Sequence, residues 1–452
     1  MANTRLFLLG IILLCTSRVL AASDSTAIGL RPDGREFMAE KHFFGKRIEH
    51  FQAVPGRPQL CISFIEKIPP LNQELGLYDL LKHRLLWTAE IDFQKDNYIM
   101  TSQGILVEWD DKTRLLSDDG DIQWETRFFP VYIDEESSTV LGFRNWKSKE
   151  MVGVSLRDGA VRWQGEMRHR YGCSMFRKMD DGRLIIAAED LCLLDPLTGR
   201  MKAIQANMGA KSGRINSAAF LAGYLGGLVG GALFGALSGF HYITVPVPGN
   251  MPGAIHSLHS NLCIDEDRIY FADRDQLWCL DNDFNTLWQR GLKKRSSMSV
   301  LKVKDDTLYY TNMGIGLDSQ NHEVRDTKAY NMAYDKKDGS PLIGNERQDD
   351  DDETGTLSFC FLKAKDEDSF TPLWLTYEQM ESQDGKRLYS IDKRLTSQLY
   401  SIHLGSDYWI VDESGNICLH LNQPILQTQL IGNTFICLNM TNTIFQFDIS
   451  DL

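Results

Sequence analysis

The chain has 452 residues, 43% hydrophobic, 24% charged and 10% aromatic, a make-up that can bury a large core. Its formal net charge of −13 excludes a general electrostatic footprint for nucleic acid, whose phosphates an acidic surface repels. Nine cysteines without a C-x-x-C spacing exclude the common zinc and redox signatures.

Residues 1–21 carry the three parts of a secretory signal peptide. Arg5 supplies the positive start, residues 6–14 the apolar core, and Val19-Leu20-Ala21 the small-residue cleavage site. The apolar run is short for a membrane span. The expected location is therefore exported, and periplasmic or envelope-associated in a bacterium. Eight cysteines remain after processing. Most sit in apolar strand-like runs and read as buried free thiols, with Cys418 and Cys437 as one candidate disulfide.

Residues 22–45 read as an irregular polar N-terminal segment with a turn at Arg31-Pro32-Asp33-Gly34. From 46 to 452 the chain is a series of short apolar or alternating runs broken by Gly, Asn and Asp, the pattern of many antiparallel strands. The clearest unit is VGVSLRDGAVRWQG at 152–165: a strand, a tight turn and a second strand carrying Trp163. Comparable units end on Trp87, Trp124, Trp163, Ala203, Trp288, Ile343 and Leu399, and an eighth, FQFDISDL, stops at the chain end. The turn glycines Gly120, Gly159 and Gly199 are 39 and 40 residues apart. A four-stranded propeller blade repeats at roughly 40–45 residues.

The expected fold is therefore all-β: a single β-propeller over 46–452 with eight four-stranded blades, alternatively seven. Gly120, Gly159 and Gly199 supply the positive φ of the hairpins, and the tryptophans fill the gaps between blades. The eighth unit lacks an outer strand, so ring closure calls for one from the N-terminus, with residues 46–54 as the candidate. In the alternative the last blade is complete and takes 408–411 and 417–421 as its first strands.

CLLDPLTGR at 192–200 and VSLRDGAVRWQG at 154–165 resemble the repeat of quinoprotein-like β-propellers, the PQQ-like or quinoprotein alcohol dehydrogenase-like family. The resemblance covers most of residues 60–450. It implies the propeller fold. Its enzymatic members hold pyrroloquinoline quinone above a calcium ion, with an aspartate base and often an adjacent cysteine pair. This chain has no Cys-Cys and no matching ligand set, so the expectation is no cofactor, no metal and no catalytic residue.

One stretch breaks the repeat. Within a glycine-rich apolar insertion at 207–250, residues 215–240 carry no formal charge. As a helix they would be about 39 Å long at ~1.5 Å per residue, enough to cross a bilayer. Gly223, Gly227, Gly231, Gly235 and Gly239 form small-xxx-small steps, with Phe220 and Phe234 beside them. These residues are the candidate contact with a membrane or a partner. A single span would place blades on both sides of a membrane. A re-entrant element, packing within the protein or on a partner, and a true span with a wrong blade count all stay open.

Other chemistry is sparse. The acidic run 349–353 lacks calcium-loop spacing and reads as a solvated loop. Arg168-His169-Arg170 and Lys293-Lys294-Arg295 read as solvated basic loops. His256 and His259 have no evident third partner for a metal and read as solvated or capping residues. The functional expectation is a non-catalytic scaffold that binds a protein or glycan, with the insertion contacting a membrane or a partner. The alternative is a PQQ-type dehydrogenase or another enzyme with its site at the channel mouth.

Overall fold

The computed structural model describes residues 22–54, 56–65, 73–90, 97–109, 112–145, 148–169, 172–211, 254–318, 323–328, 330–342, 359–366, 369–375, 388–389, 391–396, 398–404, 407–412 and 416–452. Among them every element is a strand except one 3-10 turn, Ile449–Asp451. The fold expectation is corrected here. The described residues are all-β, and no α-helix is found among them. None is long and apolar enough to cross a membrane. The residues expected to be helical, 215–240, lie outside the described set, as do the signal peptide and the acidic run 349–353. That expectation rested on apolar length alone. Seven glycines in the stretch each weaken a helix by about 1 kcal/mol relative to alanine.

Among the described residues eight antiparallel blades follow one another. Blade 1 spans 47–90, blade 2 97–126, blade 3 129–166, blade 4 175–204 and blade 5 263–291, each a four-stranded meander. Blade 6, 299–335, has three strands and a bridge from Tyr334 to Pro341. A separate three-stranded sheet, 359–389, precedes blade 7 at 391–421. Blade 8 takes three strands from 425–448 and its outer strand from the N-terminus.

That outer strand is β2 (Glu36–Phe43), paired antiparallel with Thr443–Asp448. Closure by an N-terminal strand is as expected, but the strand differs. Residues 46–54 instead supply Arg47–Ala53, the inner strand of blade 1. Residues 22–45 are not irregular. They form a hairpin of β1 (Ala22–Leu30) and β2, turning at Arg31–Gly34. β1 also reaches blade 7, Gly29 pairing with Leu421, and so joins blades 7 and 8 into one sheet. Only glycine fits there, since a Cβ on Gly29 would lie 2.2 Å from the His420 carbonyl oxygen.

The core is a series of wedges between blades. Ile48, Phe51, Ile62 and Phe64 of blade 1 pack with Ile436, Leu438 and Ile444 of blade 8. Separate clusters fill the joints 1/2, 2/3, 3/4, 4/5, 5/6 and 7/8. Each fully buried Leu, Ile or Phe contributes about 1.5–3 kcal/mol, so the joints carry most of the stability. Side-chain amides stitch inner strands together across three joints. Gln427 binds both backbone groups of Phe51, at 3.0 and 2.6 Å. Gln52 accepts from Met100 N–H and donates to Tyr98 O, and Asn261 binds both backbone groups of Leu301.

The repeat motif has a mechanical explanation. The turn after the third strand opens on an aspartate that caps it. Asp79, Asp195, Asp281, Asp335 and Asp448 each accept the N–H two residues on, at 2.7–3.0 Å. In blades 2, 3, 4 and 6 the turn ends on a left-handed glycine: Gly120, Gly159, Gly199 and Gly339, with φ of 71–86°. The preceding blade's indole lies on that glycine. A Cβ would stand 3.4 Å from Trp87 at Gly120, 2.8 Å from Trp124 at Gly159, 2.4 Å from Trp163 at Gly199 and 2.6 Å from Trp288 at Gly339. Each indole N–H then donates to a carbonyl of the same turn. Trp87 reaches Asp118 O at 3.0 Å, Trp124 Leu156 O at 2.9 Å, Trp163 Pro196 O at 2.8 Å and Trp288 Lys336 O at 3.2 Å.

Register locates the same slot in the other blades, opposite the residue two before the turn opens. It places Trp87 opposite Leu77, Trp124 opposite Leu115, Trp163 opposite Gly153 and Trp288 opposite Cys279. In blade 4 the occupant is Lys202, opposite Leu193, and not Ala203, which is exposed. Blade 7 turns at Asp412–Asn416, so its occupant is Leu419, opposite Ile410, and not Leu399. In blade 8 it is Glu40, opposite Gln446.

Candidate functional site at the root of the insertion

The insertion leaves blade 4 after Met201–Ile204 and rejoins the chain before blade 5. Its two ends pair with each other: Ala210 faces Ile255 and Lys211 faces Ala254. This short hairpin adds to a second one, Ile315–Asp318 with Glu323–Arg325, which rises between two strands of blade 6. The four strands make a small sheet from which residues 212–253 depart and to which they return. Gly316 allows the close approach. A Cβ there would stand 2.5 Å from Ile255 and 2.6 Å from Leu258.

A charged network, buried at Asp273 and Arg274, fastens the root. Asn207 N–H donates to Asp273 Oδ2 at 2.9 Å, and its amide donates to Asp275 Oδ2 at 2.6 Å. Asp273 also accepts from Asp275 and Gln276 N–H at 2.8 and 2.7 Å. Burial nevertheless raises its pKa above the usual carboxylate value. Arg274 donates from Nη2 to Asp326 Oδ1 at 3.0 Å, both side chains being less than a tenth exposed. Ser297 donates to Asp326 Oδ2 at 2.9 Å, and Asn312 ties Thr327 and Lys328 into the same knot. Arg274 Nη1 is buried without a hydrogen bond. Buried ion pairs of this kind fix register more than they add stability.

His256 and His259, expected to be solvated, are both buried here. The His259 ring lies between Ser260 O, 2.7 Å from Nδ1, and Ser174 Oγ, 2.7 Å from Nε2. Burial lowers its pKa to about 4. A hydroxyl on an imidazole is the first half of a nucleophile–base pair, but the orienting group here is a backbone carbonyl in place of a carboxylate, and Ser174 Oγ also lies 3.2 Å from Ala187 O. It is a structural tie. Lys293, Lys294 and Arg295 are exposed beside the root, Arg295 lying 3.8 Å from Asp275. Arg168 is engaged by Asp190, Nε to Oδ2 at 2.8 Å.

The structure brings Trp87, Trp124 and Trp163 onto Gly120, Gly159 and Gly199 respectively, and Trp288 onto Gly339. It does not describe Gly223, Gly227, Gly231, Gly235, Gly239, Phe220 or Phe234. Cys418 and Cys437 are free thiols, Cys437 pushed up to about 12 by burial. Sequence reading missed Asp273, Arg274 and Asp326. The one local signal was three charges in a row, Asp273-Arg274-Asp275, between two apolar strands.

No protein-family model matches this chain, and no curated protein matches it. Solved structures similar to it include BamB from Moraxella catarrhalis, 13% identical, covering 85% of this chain and 95% of that one, TM-score 0.37. The Neurospora crassa Pan2 WD40 domain is 9% identical, covers 89% of each chain and has a TM-score of 0.36. The computationally designed Ika8 protein is 8% identical, covers 94% of this chain and 100% of that one, with a TM-score of 0.36. At this overlap the likenesses say nothing of activity or partner. The blades described above make the chain a β-propeller repeat protein.

Proposed function

We propose that this propeller is a non-catalytic, exported binding or assembly scaffold, with repeats of the quinoprotein-like kind. It engages a protein partner through the face from which residues 212–253 depart. One observation carries the reading. A long apolar stretch of sequence leaves from and returns to one four-stranded root, beside which lies a buried Arg274–Asp326 pair. A segment without a task would not require so firm a base. The exposed run 293–295 beside it adds positive charge on an otherwise acidic protein. That charge suits an acidic partner surface or anionic lipid headgroups.

The test is crosslinking in the native envelope, comparing the full chain with a variant in which 212–253 is replaced by a short Gly-Ser linker. Specific protein crosslinks that vanish in the variant support the reading. Crosslinks unchanged by the replacement would sink it. Flotation with anionic and neutral vesicles distinguishes a lipid contact from a protein one. Sequencing the mature N-terminus tests export, with Ala22 as the expected first residue. Bound quinone with calcium-dependent alcohol or sugar oxidation would establish the enzymatic alternative instead.

A further inference from the structure

The joint between blades 8 and 1 departs from the rule that governs its neighbours. Glu40 of β2 stands in the slot that tryptophan fills elsewhere, opposite Gln446. The residue it meets is His83, which closes the turn opened by Asp79 and occupies the position of Gly120, Gly159, Gly199 and Gly339. His83 is left-handed, with φ of 50°. Glycine adopts that conformation most cheaply, and histidine, like asparagine and aspartate, is among the side chains that tolerate it, so the turn leaves room for a further role without requiring one. The left-handed Phe284 of blade 5 has one, because it is buried in the joint 4/5 cluster. His83 is half-buried and contributes to no such cluster.

Three metal-ligating side chains converge at this joint. Glu40, His42 and His83 each place one ligand atom within 4.8 Å of the others. His83 Nδ1 and Glu40 Oε1 are 3.2 Å apart. Two ligands on a tetrahedral zinc ion, each bonded at about 2.0–2.1 Å, are about 3.3 Å apart. His42 and His83 stack at 5.6 Å, with 17° between their rings. His42 is wholly buried and its Nδ1 lies 3.0 Å from the Tyr78 hydroxyl. That contact fixes the ring from behind, as the outer partner of a metal-bound imidazole does. His42 Nε2 is buried with only the Gln446 side chain beside it, out of good hydrogen-bond geometry, and His83 Nδ1 has Glu40 as its one close polar neighbour. Glu40 and Gln446 also line a cleft of about 530 Å³, together with Arg31, Glu36 and Asp448.

We propose that Glu40, His42 and His83 bind a divalent transition metal of the zinc class at the seam where the ring closes. His42 ligates through Nε2, His83 through Nδ1 and Glu40 through a carboxylate oxygen, with Tyr78 orienting His42. Three protein ligands leave one position for water or for a group entering the cleft. The metal joins β2 of the N-terminal hairpin to a turn of blade 1 and thereby clasps the closure.

The experiment uses the full mature chain after chelator treatment, titrated with Zn²⁺ by calorimetry and with Co²⁺ as a spectroscopic probe. The expected result is one equivalent bound, with visible Co²⁺ absorption of a low-coordinate nitrogen and oxygen site. His83→Gly installs the residue that four other blades carry at this turn, so it preserves the fold. It should weaken binding at least 100-fold. Glu40→Gln should weaken it at least tenfold and Tyr78→Phe about tenfold, the range seen for outer partners. No saturable binding to the wild-type chain would overturn the proposal, as would equal binding by His83→Gly. Either result would mean that Glu40 and His83 form a plain ion pair and that His42 turns to Gln446.

Discussion

Docking of each indole onto the next blade's turn glycine makes a quantitative prediction for Gly199→Ala. Gly199 has φ of +73°, and an added Cβ would lie 2.4 Å from Trp163 Cδ2 and 2.7 Å from two more ring atoms. Placing alanine in the left-handed region costs roughly 1–2 kcal/mol on its own. The indole cannot yield cheaply, because its N–H is held by Pro196 O at 2.8 Å. Displacing it forfeits about 1 kcal/mol of hydrogen bonding and about 1–3 kcal/mol of packing in the 3/4 joint. The total is about 3–6 kcal/mol. Gly182 is the internal control. Its φ is +85°, yet nothing lies within 4 Å of its Cβ position, so Gly182→Ala should cost only the conformational part, about 1–2 kcal/mol. Urea unfolding of the full-length proteins, followed by far-UV circular dichroism, measures both. The two should differ by about 2–4 kcal/mol. Adding Trp163→Ala to Gly199→Ala should cost less than the sum of the single changes, since the clash is gone. Equal destabilisation by Gly199→Ala and Gly182→Ala would refute the docking account.

Three further outcomes follow from the same structure. His259 has a folded pKa of about 4 against an ordinary 6.5, so the unfolded chain binds more protons between those values. Stability is therefore intact above about pH 6.5 and is lost as the pH falls towards 4, by up to about 3 kcal/mol. His259→Gln should flatten the fall in urea midpoint between pH 7 and pH 4, and an unchanged acid slope would exclude His259 as its source. Arg274→Met leaves Asp326 as a buried unpaired carboxylate and should cost about 3–5 kcal/mol. Adding Asp326→Asn should recover at least about 1 kcal/mol, read from thermal midpoints. Deleting 22–35 should leave a cooperative unfolding transition, because β2 remains paired with Thr443–Asp448. Deleting 22–43 strips that strand and should broaden the transition and promote aggregation, as seen by light scattering.

The legible part of the fold was the part with local chemistry. The turn and the Trp that follows it sit within a dozen residues, so local pattern alone exposes the pair in blades 1, 2, 3 and 5, with a turn glycine as well in blades 2 and 3. Where the turn changes chemistry the reading slips. The Asp412–Asn416 turn of blade 7 lacks an Asp-Gly pair, and the unit was therefore placed one turn early, on Leu399. β2 reads EFMAEKHF, in which Phe37 and Ala39 face the core while Met38 and Glu40 do not. Its four charged or imidazole residues mask that alternation, and the closing strand was sought ten residues downstream. Long-range polar pairs leave no local trace at all. Arg274 and Asp326 are 52 residues apart, and His83 meets Glu40 across the junction of the two ends of the chain.

The departures from the Trp-on-Gly rule separate packing from chemistry. At the 7/8 joint the slot holds Leu419, fully buried, an ordinary apolar replacement. At the 4/5 joint it holds Lys202, whose Nζ donates to Asp283 O at 2.8 Å and to Asn285 Oδ1 at 2.7 Å. The lysine thus keeps the donor that an indole N–H would have supplied, while Phe284 fills the joint from the other side. Both solutions conserve what the joint needs, a filled volume or a satisfied turn. The 8/1 joint is filled by the cluster of blade 1 and blade 8 residues, but its slot supplies neither an apolar group nor a donor. Glu40 carries no donor when ionised, and His83 pays for a left-handed backbone that a glycine would adopt freely. The joint does not need them for closure, because Gln427 binds Phe51, the Asn442 side chain binds Lys46 and Ile48, and β2 completes the sheet. Packing or a satisfied turn therefore accounts for the slot at the other joints whose slot is described, and fails at the one where three metal-ligating side chains meet. That is the reason to look for an ion there rather than at the acidic runs.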